Sequence, residues 1–214
     1  MLSTLNELAI KYGTDKSSLC HDYCDEYDIF LNKYRDKKVN VLELGVFRGN
    51  SIKMWLEYFY KGNVYGVDIE NREVGITDDR YKFICGDSTD EKLHKKLDDI
   101  EFDIVIDDAS HMYKHQIYAF ERIFPKLKSE SLYIVEDTCT SYWDCSGDIN
   151  FIEYTKRLID DVNYNGVLCD VSINCANARG RKYLDRTLIK SGIQKRHDIK
   201  SMYCSNSFII FFKK

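Results

Sequence analysis

The chain has 214 residues, 44% of them hydrophobic and 31% charged, which fits one large domain with its own core and excludes a disordered chain. Its net charge of −4 comes without a polybasic run, so nucleic acid is not expected as a partner. The N-terminal MLSTLNELAIKYG has neither a basic start nor a continuous apolar core, so it does not read as a signal peptide, and no apolar run is long enough to span a membrane. The eight cysteines form no C-x-x-C pair, so a zinc site is not expected, and reduced thiols in a cytoplasm are.

Residues 1–38 read as a helical cap on one domain covering 1–214. A short helix runs into the turn Tyr12-Gly13-Thr14-Asp15-Lys16, and His21, Tyr23 and Tyr27 follow at helical spacing. From these residues alone, a polar capping turn and a functional role are both open. Apolar runs then alternate with helical segments. VNVLELGV (39–46), NVYGVDI (63–69), YKFICGD (81–87), FDIVIDD (102–108) and SLYIVED (131–137) read as short strands, most of them ending in acids. Ile52, Trp55, Leu56 and Phe59 mark one helix face, with Asn50 and Ser51 as candidate caps, and Ile117, Phe120 and Phe124 mark another. A polar loop (138–148) precedes a helix over 149–163, with Ile152, Thr155, Ile159 and Val162 on its inward side. Residues 164–195 have a weak period and read as an insertion. The closing HDIKSMYCSNSFIIFFKK reads as two strands joined by a tight turn near Ser205-Asn206. The order predicts an α/β fold: a mostly parallel sheet, helices on both faces, and a C-terminal antiparallel hairpin.

Three stretches carry chemistry. In VLELGVFRGNS, Glu43, Gly45 and Gly49 sit where the first strand turns into the first helix of the sheet, so a ligand can approach the backbone. A dinucleotide fingerprint would need glycine at Phe47; acid-x-Gly-x-x-x-Gly suits S-adenosylmethionine instead. Asp68 ends the next strand, where a carboxylate accepts ribose hydroxyls, and Asp87 and Ser88 end the third, beside an adenine. In FDIVIDDASHMYKHQ and VEDTCTSY, Asp108, Glu136 and Asp137 end neighbouring strands. Acids so close would destabilise the fold unless a cation sits among them, and an oxygen-only set suits Mg²⁺ or Mn²⁺. His111 lies just outside, where it could serve as a base. The other reading of the residues is that the acids cap helices or pair with Lys and Arg and that His111 is a surface residue. The third stretch is the N-terminal turn already described.

KYGTDKS, H-x-Y-x-x-x-Y, LELGVFRGNSIKMW, YGVDI, GDSTD, DIVIDDASH and YIVEDTCTSYW, in this order, resemble the sugar O-methyltransferases that tailor macrolide antibiotics, the mycinamicin and tylosin enzymes among them, and their relatives in surface-polysaccharide clusters. The resemblance runs over residues 5–163, and its specific part is the pair DD-x-SH and ED-x-x-TSY. It implies a Rossmann-like class I methyltransferase fold with a seven-stranded sheet. It implies that Asp108, Glu136 and Asp137 hold Mg²⁺ and that His111 is the general base. Glu43, Gly45, Ser51, Asp68, Asp87, Ser88 and Asp107 would surround S-adenosylmethionine, with Thr14 and Lys16 closing over its amino acid end. The acceptor would be a sugar hydroxyl on a nucleotide sugar, glycan or glycoside, and the protein a homo-oligomer. Ala109 replaces the usual glycine of DDGSH, and 164–195 matches nothing in the family, so that segment is expected to shape the acceptor pocket or an oligomer contact. The same chelation chemistry would serve a catechol-type O-methyltransferase. A non-catalytic nucleoside-binding protein would have no need of converging acids, and a nucleotide-sugar dehydrogenase or epimerase would need the missing G-x-G-x-x-G.

Overall fold

The computed structural model describes residues 2–71, 74–143, 149–167 and 198–214. The chain runs α1 (Leu5–Tyr12), α2 (Cys24–Leu31), β1 (Asn40–Leu44), α3 (Asn50–Tyr58), β2 (Asn63–Asp68), β3 (Tyr81–Cys85), α4 (Glu91–Leu97), β4 (Ile104–Asp107), α5 (Tyr113–Ile123), β5 (Leu132–Val135), α6 (Phe151–Val167), β6 (Ile199–Cys204) and β7 (Ile209–Lys213), with a 3-10 turn at Thr138–Tyr142. One seven-stranded sheet has the order β3-β2-β1-β4-β5-β7-β6. The pairs among β1 to β5 are parallel, and β7 joins β5 and β6 antiparallel. The expected hairpin is present, its turn closed by Ser205 N–H on the Phe208 carbonyl at 3.0 Å. Strand order reverses between β1 and β4, the place on a parallel sheet where a crevice opens at the carboxyl ends.

The strands are apolar on both faces because both are covered. Val41, Ile106, Ile134 and Ile210 face α1, α2 and α3 through Leu8, Tyr27, Ile52 and Trp55. Leu42, Leu44, Val105 and Val135 face α4, α5 and α6 through Leu93, Phe120 and Leu158. Each such aliphatic or aromatic side chain contributes about 1.5–3 kcal/mol by leaving water. Among the described residues no helix is long and apolar enough to cross a membrane.

Two local expectations are corrected. Neither Asn50 nor Ser51 caps α3: the N-cap is Gly49 at φ 73, Asn50 donates to the Gly13 carbonyl, and the Ser51 hydroxyl turns inward to Glu43. On α6 the inward line is Phe151, Thr155, Leu158 and Val162, whereas Ile159 is 42% exposed. A 3.6-residue period favours spacings of four, three and four, so Leu158 takes the place expected for Ile159. Residues 168–195 of the segment expected to shape the acceptor pocket or an oligomer contact lie outside the described residues, α6 running through 164–167.

Candidate active site

Alternation along the strands decides which acids meet. Glu43 pairs with Ile106 and Ile106 with Ile134 across β1, β4 and β5, and residues two apart share a face. Glu43, Asp108 and Glu136 therefore turn toward the face covered by α1 to α3. Asp107 turns to the other, where the Tyr133 hydroxyl donates to it at 3.3 Å.

The N-terminal segment supplies the counter-charge. A capping box of Thr4 and Glu7 starts α1, and Gly13, left-handed at φ 67, ends it, so the chain reverses and carries Lys16 under the sheet edge. Lys16 is 1% exposed. Its Nζ donates to Asp108 Oδ2 and, at 2.7 Å, to Glu136 Oε2, and lies 3.7 Å from Glu43 Oε1. Glu43 also accepts from Ser51 Oγ at 2.8 Å and Trp55 Nε1 at 3.2 Å, and Glu136 Oε1 accepts from Tyr27 at 2.7 Å. Buried charge survives only when paired and hydrogen-bonded in this way. Burial pulls the ammonium of Lys16 down, but the three carboxylates outweigh it and leave it well above the ordinary lysine value. Burial pushes Glu43 up to about 7 against the pull of Lys16.

Beside this cluster stands a second group. One ligand atom from each of Asp108, His111 and Asp137 lies within 4.8 Å of the others. His111 Nδ1 is 4.0 Å from Asp108 Oδ1 and 3.5 Å from Asp137 Oδ2, and it is buried with no hydrogen-bond partner among the described residues. Both His111 (φ 54) and Asp137 (φ 52) are left-handed, a conformation that His and Asp tolerate better than most residues. Thr140 Oγ1 ties their loops, 2.6 Å from the His111 carbonyl and 2.9 Å from that of Asp137. Ala109 is not at a left-handed position, so the turn accepts a Cβ there. The donor set fits a hard divalent cation: two carboxylates, each with an oxygen turned to a buried, unpartnered nitrogen.

A cleft of about 550 Å³ opens at this edge, lined by Gly13, Thr14, Gly45, Ser51, Asp68, Asp108 and His111. It adjoins a pocket of about 190 Å³ lined by Gly45, Asp68, Asp87, Ser88, Ser110 and His115. The larger space is within the usual ligand-pocket range of about 300–1,000 Å³. Asp68 Oδ2 accepts the backbone N–H of Val46 at 3.1 Å and of Phe47 at 2.9 Å, fixing the glycine turn against β2. Asp87 Oδ1 takes the Thr89 N–H and hydroxyl, each at 2.8 Å, and the backbone bond holds its carboxyl below the usual range.

Of the residues expected around S-adenosylmethionine, Thr14, Gly45, Ser51, Asp68, Asp87 and Ser88 line these two spaces. Lys16, Glu43 and Asp107 line neither. Lys16 does not close over the cleft; it is the buried partner of three acids. Glu136, expected as a third cation ligand, stands outside the Asp108–His111–Asp137 group because its inward turn gives both oxygens to Lys16 and Tyr27. Conversely, His111 enters the group rather than lying outside it. Sequence reading missed His115, whose Nδ1 meets Ser110 Oγ at 2.9 Å in the smaller pocket, and the contacts of Tyr23 and Tyr27 with the acids, for which the H-x-Y-x-x-x-Y spacing was the available signal.

Asp107 offers a stability test. Burial raises its carboxyl from 3.8 to about 7, opposed by the Tyr133 hydroxyl and the Ala109 backbone. The folded state then holds this proton more tightly than the unfolded chain, so the group's contribution falls as pH rises from about 4 through about 7. Asp107→Asn is expected to raise Tm relative to the parent at pH 8, with the gain shrinking by pH 5. Equal differences at both pH values, read by calorimetry, would contradict the burial argument.

Comparison with known proteins finds methyltransferases. The chain is 31% identical over 212 residues to the demethylmacrocin O-methyltransferase of Streptomyces fradiae, covering 91% of this chain and 51% of that protein. It is 32% identical over 217 residues to the mycinamicin VI 2''-O-methyltransferase of Micromonospora griseorubida, with the same coverages of 91% and 51%. The chain thus spans about half the length of the curated relatives it matches. Among solved structures it is similar to the MycE methyltransferase of the mycinamycin biosynthetic pathway in complex with Mg, SAH and mycinamycin VI, at a TM-score of 0.77 and 28% identity over 99% of this chain and 54% of that one. The FtsJ-like methyltransferase pattern matches residues 24–140, from α2 through the loop after β5 that carries Asp137, and this chain belongs to the FtsJ-like methyltransferase family.

Proposed function

We propose that this chain is an S-adenosylmethionine-dependent O-methyltransferase that methylates a sugar hydroxyl with the help of a divalent cation, Mg²⁺ or Mn²⁺. The observation that carries the reading is the unpartnered Nδ1 of His111, buried between Asp108 Oδ1 and Asp137 Oδ2 at the mouth of the cleft. Relatives named as O-methyltransferases of a rhamnosyl tetracenomycin and of an olivosyl oleandolide, and a neighbour solved with Mg and SAH, support it. Thr14, Gly45, Ser51 and Asp68 would hold the cosubstrate, with Asp87 and Ser88 at its adenine end. Asp108 and Asp137 would hold the cation, which supplies Lewis-acid stabilisation of negative charge on an acceptor oxygen. His111 would take the acceptor's hydroxyl proton as that oxygen displaces the methyl group from the sulfonium of S-adenosylmethionine, breaking the S–CH3 bond and leaving S-adenosylhomocysteine. Lys16 would supply the counter-charge for the buried Glu43 and Glu136 while holding one oxygen of Asp108. The acceptor is a small nucleotide sugar or glycoside, and the working protein a cytoplasmic homo-oligomer.

The test is incubation with S-adenosylmethionine, Mg²⁺ and a panel of nucleotide sugars, simple glycosides and catechols, followed by mass, with and without chelator. A methylated sugar that disappears with chelator is the expected result. A methylated catechol alone would keep the chemistry and change the acceptor. Full activity in chelator would remove the cation from the reading.

A further inference from the structure

We infer that Tyr23 is a positioning residue for the cation site, holding Asp137 by one oxygen so that the other faces His111. This inference rests on the cation-dependent reading above and adds to it a role for the N-terminal segment. The geometry repeats on the two carboxylates of the group. Asp108 has Oδ2 held by Lys16, and its Oδ1 is the oxygen 4.0 Å from His111 Nδ1. Asp137 has Oδ1 held by the Tyr23 hydroxyl at 2.7 Å, and its Oδ2 is the oxygen 3.5 Å from the same nitrogen. In each case the oxygen directed away from the group is anchored by a residue of the N-terminal segment, and the oxygen directed into it is left for a ligand.

Tyr23 can act as such an anchor because its own position is overdetermined. It is 2% exposed, at the N-cap of α2, and its ring meets Phe208 edge-on at 5.2 Å and lies 6.0 Å from the ring of Tyr27. Its backbone N–H bonds the Lys16 carbonyl at 3.0 Å, so the two anchoring residues are tied to one another. His21 Nδ1 approaches the same oxygen of Asp137 only to 3.7 Å, too far for a hydrogen bond. Hydrogen bonds from an outer ring of residues to ligating carboxylates orient them and commonly change metal affinity by about 10- to 100-fold. The segment before β1 is therefore part of the cation site as well as a cover for the sheet.

The test is Mn²⁺ titration of the full chain, read by electron paramagnetic resonance in the absence of acceptor, with S-adenosylhomocysteine affinity and Tm measured alongside. Tyr23→Phe keeps the ring packing and deletes only the hydroxyl. It is expected to weaken Mn²⁺ binding about 10- to 100-fold, with S-adenosylhomocysteine affinity unchanged. Tyr203→Phe, which deletes a hydroxyl bonded to Glu26 at 2.7 Å, is expected to leave Mn²⁺ binding at the parent level. Tyr23→Phe binding Mn²⁺ like the parent would overturn the positioning role and leave the cation reading standing. A Tyr23→Phe protein that loses Tm and S-adenosylhomocysteine binding in step with Mn²⁺ would overturn it too, as a general packing effect. A parent protein that binds no Mn²⁺ would overturn both.

Discussion

His111→Ala is expected to lower the rate of methyl transfer by about 10²- to 10⁴-fold, the usual contribution of a positioned general base, while Mn²⁺ and S-adenosylhomocysteine still bind. The structure permits two uses of this imidazole. Its Nδ1 is near enough to Asp108 and Asp137 to be a third ligand, or it is a base beside a cation held by carboxylates. Hard divalent cations prefer oxygen, which favours the base, and the variant separates the two. Retained Mn²⁺ affinity with lost turnover identifies the base; a parallel loss of both identifies the ligand. Alanine at φ 54 also carries a left-handed backbone cost of about 1–2 kcal/mol. His111→Asn, which accepts that conformation, is the companion variant. If it folds like the parent and is equally slow, the loss belongs to the imidazole.

The strands were readable because each is a short apolar run bounded by acids or glycine, too short for a buried helix, but their order across the sheet, β3-β2-β1-β4-β5-β7-β6, was not read from the sequence. The contents of the sheet edge were readable only in part. The sequence shows Asp108, Glu136 and Asp137 at strand ends but gives no register, and register decides that Glu136 shares a face with Glu43 and Asp108 while Asp107 does not. Pairing of these acids with a lysine or arginine was open from the sequence, but nothing in it points to Lys16, 92 residues before Asp108, as the partner. The resemblance placed Lys16 over the amino acid end of the cofactor, and only the docking of the segment after α1 buries it among the acids. Tyr23 and Tyr27 were visible as a helix-spaced pair, but an aromatic pair on a short helix is more simply a core face. Their rings do pack in the core; what could not be read is where the hydroxyls end. On α6 the choice of Ile159 over Leu158 was a phase error of one position, made because both are apolar.

Gly45→Ala is expected to cost the chain both its ligand sites. Gly45 has φ 96, and a Cβ built on it would lie 2.1 Å from the Asp108 carbonyl oxygen, 2.8 Å from its carbon and 3.0 Å from the Ala109 Cα. These are backbone atoms, so no side chain can swing aside. The turn after β1 and the loop after β4 are already tied on either side of the contact, Gly45 N–H to the Val67 carbonyl at 2.8 Å and Asp108 N–H to the Leu44 carbonyl at 2.9 Å. Relief must come from displacing the loop that carries Asp108 and His111, or the turn that lines both cleft and pocket. Overpacking of this kind costs about 1–3 kcal/mol, to which the left-handed backbone adds. Gly75→Ala is the control: its φ of 65 is also left-handed, but nothing lies within 4 Å of the added carbon. Its expected effect is a small loss of Tm with both ligands still bound. Thermal denaturation with Mn²⁺ and S-adenosylhomocysteine titrations reads all of this. If Gly45→Ala binds both ligands as the parent does, the close approach of these two loops is not what shapes the site.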